Sequence, residues 1–193
     1  MAFEIMSRPA GATARLAPVE QRYAPMFCFA LLTAACALAS FAFACATPFA
    51  AFAVVAAAML PLRPALLMVT AAWLVNQGIG FGMLHYPVDA NAIAWGFAIG
   101  AAALAATVLA YSMLRALPRA GAPLALACAL LGAYVAYELV LFAVTPFLGG
   151  EGAFTFAIVG RLGVLSVLWL IGLVAACEVF RLLTSAWRRQ VSS

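Results

Sequence analysis

Four polar side chains interrupt otherwise apolar runs in this chain: Asn76, Gln77, Glu138 and Arg161. A guanidinium in hydrocarbon costs ~2.5 kcal/mol or more on insertion scales, so a charge at that depth is normally paired and often functional. Glu138 and Arg161 have opposite signs and fall on consecutive apolar segments, which makes an ion pair the economical expectation. Such a pair either fixes the register of two helices or leaves one member to meet a polar substrate. A proton relay fits less well, because no chain of carboxylates continues to the opposite face.

Other residues extend this polar layer. Trp73, Asn76 and Gly80 recur at helical spacing, and Tyr134, Tyr137 and Glu138 stand at i, i+3 and i+4, so each set shares one helix face. Gln77 adds a second amide beside Asn76. His85, Asp89, Asn91 and Trp95 follow in and after the next polar turn, where a mouth would lie. Aromatic walls, a few amides and one charge of each sign describe a small-molecule pocket. The substrate-binding set is therefore Trp73, Asn76, Gln77, Gly80, Tyr134, Glu138 and Arg161, with His85, Asp89, Asn91 and Trp95 above it. Gly78, Gly80 and Gly82 alternate within this stretch, each ~1 kcal/mol less favourable in a helix than alanine. Close helix packing and a cavity wall both account for them.

The elements that must hold these groups are membrane spans. The chain has 193 residues, 68% of them hydrophobic and only 8% charged. Soluble proteins carry roughly 25% charged residues. The expected fold class is an all-α integral membrane protein with six transmembrane helices and both termini cytoplasmic. Pro, Gly and charge divide it into apolar segments near 25–44, 48–62, 65–84, 92–114, 123–147 and 154–180. The second is short for a ~30 Å hydrocarbon core, so it starts earlier or is screened by its neighbours. Pro61-Leu62-Arg63-Pro64 reads as a tight connection. Residues 1–23 form a polar N-terminal segment, 24–184 the membrane domain and 185–193 a basic tail.

All ten basic residues are arginine. Nine of them (Arg8, Arg15, Arg22, Arg63, Arg115, Arg119, Arg181, Arg188 and Arg189) flank the apolar segments at alternate ends. The intervening turns hold His85, Asp89 and Glu151 instead. This is the positive-inside pattern, expected for a bacterial-type inner membrane. It puts Asn76, Gln77, Glu138 and Arg161 at similar depth in the outer half. The sparse arginines exclude a nucleic-acid surface, which needs concentrated charge.

Five cysteines show no metal-ligand spacing, and His85 with Asp89 and Cys45 does not demand a metal. No cofactor is expected. Nor is an enzyme, since one histidine and scattered acids supply no nucleophile–base pair. Ala44-Cys45-Ala46 mimics a signal-peptidase site, but the preceding apolar run is longer than a usual signal core, so retention is expected. Gly96 and Gly100 form a GxxxG, and Ala30 and Ala34 an AxxxA; each suits internal packing or a docking surface.

Six short-looped segments, an outward polar pocket and the Ala30/Ala34 pair resemble the substrate-binding S-components of energy-coupling-factor transporters. That resemblance implies capture of a small polar or vitamin-like solute, metal-containing ones included, at the outer face. It also implies docking of Ala30 and Ala34 onto a transmembrane coupling subunit, with ATPase subunits supplying energy. The chain itself has no Walker A motif. Membrane lipid and a small-molecule substrate are the remaining expected partners. Two other classes stay open: a self-sufficient small-solute transporter, and a structural or assembly protein in which Glu138 and Arg161 act as glue.

Overall fold

The computed structural model describes residues 15–43 and 47–191. These residues form six α-helices and no strand: α1 (Ala24–Phe43), α2 (Phe49–Met59), α3 (Leu62–Gly82), α4 (Ala90–Ala116), α5 (Ala122–Leu148) and α6 (Phe156–Val191). A single 3-10 turn, Glu151–Phe154, joins the last two. Five of the helices are long and apolar enough to cross a membrane, the build of a multi-pass membrane protein. The exception is α2, whose 11 residues make a rod of about 16 Å.

That short helix is the hub of the bundle. Every residue from Phe49 to Met59 is buried, and α1, α3, α4, α5 and α6 all pack on it. Its composition explains the position. With only Phe, Ala, Val and Met, α2 is apolar all round and has no face to offer water. The neighbours meet it and each other through small side chains. Ala103, Ala106 and Ala110 on α4 and Ala125, Ala129 and Ala133 on α5 are all fully buried. Small residues one turn apart let helix backbones approach closely, and the α4–α5 contact is accordingly the most extensive in the fold.

Hydrogen bonds at the two ends fix the relative directions of the helices. At one end the backbone N–H groups of Arg15 and Leu16 both donate to the Ala58 carbonyl at the close of α2. The Arg15 guanidinium donates to the carbonyls of Ala120 (2.9 Å), Leu114 (3.2 Å) and Leu117, where α4 turns into α5. Phe27 near the start of α1 meets Phe180 on α6 with ring centroids 4.7 Å apart. At the other end the Asn91 amide, opening α4, donates to the Leu148 carbonyl closing α5. The six helices therefore alternate in direction, and Arg15, Arg115 and Arg181 share one end.

Two boundaries differ from the sequence reading. Helix α3 begins at Leu62, so Arg63 and Pro64 lie in its first turn rather than in a connection. A proline is tolerated there because first-turn N–H groups have no partner within the helix. Helix α6 continues past Phe180 to Val191. No Pro or Gly stops it, and Arg181 pairs with Glu178 one turn earlier at 2.7 Å.

Candidate functional site

Between α2, α4, α5, α6 and the 3-10 turn lies a cavity of about 350 Å³. Its walls include Phe49 at the start of α2, Trp95 on α4, Tyr134 and Tyr137 on α5, and Phe154 in the turn. Phe49 and Tyr137 stack with centroids 6.4 Å apart. Among the described residues Glu138 is the one charged residue of the lining. One of its carboxyl oxygens is shielded from solvent and accepts no hydrogen bond. Its neighbour one turn back, Tyr134, lies beside this carboxyl group and also donates its hydroxyl to the Val159 carbonyl on α6 at 2.5 Å. Gly163 faces the Tyr134 ring, and a methyl there would stand 3.4 Å from it, at ordinary van der Waals contact. Trp95, Gly150 and Phe154 place the cavity in the half of the bundle away from Arg15.

The amides of α3 form a separate polar node beside the cavity. Asn76 donates through Nδ2 to Ser40 Oγ on α1 at 3.0 Å and to Thr47 Oγ1, just before α2, at 2.9 Å. Gln77 donates to Asn76 Oδ1 at 3.2 Å. Trp73 donates from its indole nitrogen to the Gly96 carbonyl on α4 at 2.9 Å. Thr47 belongs to both groups, bonded to Asn76 on one side and lining the cavity on the other. None of Trp73, Asn76, Gln77 and Gly80 is in the cavity wall, and Asn76 alone is bonded to a wall residue, Thr47.

The GxxxG of α4 packs internally against this node. A methyl on Gly96 would meet Gln77 Oε1 at 2.6 Å, and one on Gly100 would meet the Trp73 indole at 2.8 Å. The glycines of α3 stay helical to Gly82. Among them Gly80 alone has a close neighbour, the Tyr86 ring, which an added methyl would meet at 2.8 Å. Gly78 and Gly82 face open space.

The mouth residues divide by role. Asp89 caps α4, accepting from the Ala92 N–H at 2.8 Å. Asn91 ties α4 to the end of α5. His85 is exposed and turns the chain with a positive φ of 55°. No group of three His, Cys, Asp or Glu side chains gathers among the described residues, and Cys45 lies outside them. Of the four, Trp95 reaches the cavity.

Arg161 is not brought to Glu138. It is exposed on α6, and the two form no ion pair. The reason is angular. Ile158, Leu162, Leu165 and Ser166 are the α6 residues turned to the cavity, and at 100° per residue Arg161 projects sideways, roughly 90° from their common direction. Equal depth on neighbouring helices was legible from the sequence, whereas helix rotation was not. Arg161 stands two turns or less from the start of α6, where a long side chain can extend toward the interface.

Ala30 and Ala34 face outward on α1, beside a groove shared with α6. The sequence reading left out Thr47, Phe49, Phe154 and Ser166 as wall residues. Three of these look like ordinary turn or span residues. Thr47-Pro48 at the head of an all-apolar helix was the one available signal. No protein-family model, curated protein or solved structure matches the chain.

Proposed function

We propose that this protein is a membrane transport subunit that captures a small solute from the outer face in the Glu138 cavity. The observation that carries the reading is the cavity itself. It has aromatic walls and one unsatisfied carboxyl oxygen, and lies in the half opposite the arginine-bearing loops. Its volume of about 350 Å³ falls in the range of small-ligand sites. A buried acceptor left without a partner is costly, and a bound ligand removes that cost.

In this reading six segments cross the membrane with both termini cytoplasmic. The short α2 crosses with the help of its flanking residues, screened from lipid by the surrounding helices. The membrane is a bacterial-type inner membrane, and the chain works like the S-components it resembles. Ala30 and Ala34, exposed on α1, supply the contact for a transmembrane coupling subunit whose ATPases power release inward.

Purification in mild detergent without added ligand, followed by mass spectrometry, tests the reading. A small molecule should leave with the unmodified protein and be absent from Leu141→Trp, in which an indole fills the cavity. Identical small-molecule content in the two preparations would refute it.

A further inference from the structure

We propose that the solute is an organic cation, its charge seated against Glu138 and its body between the aromatic walls. The inference rests on the cavity reading above and adds the chemical class of the ligand. The orphaned Glu138 oxygen and the aromatic side chains of the lining together define that class.

Charge is the first consideration. Among the described residues Glu138 is the single charged one in the lining, and Arg161 is exposed on α6 outside it. Glu138 is half-buried, with one oxygen shielded from solvent and without a partner; a carboxylate so placed without a counter-charge is unfavourable, and a cation against it reduces the penalty. An anionic ligand would add a second negative charge to the same apolar space. The protein therefore selects for positive charge by what it leaves out of the cavity.

The walls say what kind of cation. A metal ion needs several strong oxygen, nitrogen or sulfur ligands, and among the described residues no second carboxylate, histidine or cysteine joins Glu138 in the lining. Phe49, Trp95, Tyr134, Tyr137 and Phe154 instead offer π faces and edges around it. The negative face of an aromatic ring attracts an ammonium group, most strongly where water is excluded. Thr47 and Ser166 add hydroxyls for one or two further polar atoms on the ligand. An ammonium or similar organic cation carried on a compact apolar body meets all of these features.

The test uses the unmodified full-length protein in lipid nanodiscs and three water-soluble probes of similar size. These are benzyltrimethylammonium, benzyl alcohol and benzoate, titrated against tryptophan fluorescence and by calorimetry. The cation should bind at least tenfold more tightly than either of the others. In Glu138→Gln its affinity should fall at least tenfold while that for benzyl alcohol stays within a factor of two or three. Glu138→Asp keeps the charge and should retain part of the preference, which separates charge from folding if the glutamine variant is unstable. Equal binding of all three probes, or preference for benzoate, would overturn the cation assignment and leave the cavity reading standing. Cation affinity unchanged in a folded Glu138→Gln would also overturn it. Failure of every probe to bind, with no copurified solute, would remove both.

Discussion

Asn76→Ala should destabilise the protein by about 2 kcal/mol, because this one amide joins α1, the entry to α2 and α3. Its Nδ2 donates to Ser40 at 3.0 Å and to Thr47 at 2.9 Å, and its Oδ1 accepts from Gln77 at 3.2 Å. Interhelical hydrogen bonds in membrane proteins average ~0.6 kcal/mol each and reach ~1.7 kcal/mol. The Asn76 bonds belong toward the upper end of that range. Ser40 and Thr47 are 1% and 6% exposed, so their hydroxyls cannot turn to bulk water once the amide is gone. About 2 kcal/mol corresponds to ~30-fold in the unfolding equilibrium, well within reach of reversible unfolding in mixed micelles followed by circular dichroism. A double-mutant cycle with Thr47→Val isolates the shared bond, with an expected coupling of ~0.6–1.7 kcal/mol. A loss under ~0.5 kcal/mol for Asn76→Ala, the usual range for inconsequential surface changes, together with zero coupling would show that the node holds nothing together.

Gly100→Ala should lower stability despite the better helix propensity of alanine. Overpacking costs ~1–3 kcal/mol against a propensity gain of ~1 kcal/mol, and the new methyl would stand 2.8 Å from the Trp73 indole. Trp73→Leu in the same chain should relieve the clash, and a thermal melt that rises in Gly100→Ala alone would contradict the packing. Arg15→Ala should cost at least ~1.5–3 kcal/mol, the contribution of one charge-assisted bond, since its guanidinium serves three carbonyls at the α4–α5 turn. Arg15→Lys should recover only part of this, because an ammonium lacks the planar fork, and detergent thermostability measures both. Arg161→Gln should change stability by less than ~0.5 kcal/mol and leave cation binding intact, as expected of an exposed side chain outside the cavity. Lost binding in that variant would bring Arg161 back to the ligand.

The helical architecture was legible because hydropathy and arginine placement act through local run length. The apolar segments read near 25–44 and 92–114 became helices Ala24–Phe43 and Ala90–Ala116. That Trp95, Tyr134 and Glu138 share one cavity wall also followed from position along a helix. Asn76, Gln77 and Trp73 were legible as an inward polar face but not as a network satisfied by protein. Ser40 and Thr47 stand 36 and 29 residues from Asn76, and Gly96 stands 23 residues from Trp73, so no local pattern links them.

The sequence by itself determined that the chain is a bundle of apolar helices, which ends carry arginine, and where along its helix each polar group lies. Run length, charge and a fixed rise per residue settle those properties one segment at a time. The tertiary structure decided which way each helix turns about its own axis. That rotation gave Asn76 to Ser40 and Thr47, turned Arg161 outward and left Glu138 facing the cavity with an unpartnered oxygen. Rotation is set by how small residues on α2, α4 and α5 fit together, and neighbouring helices must be present before that fit exists.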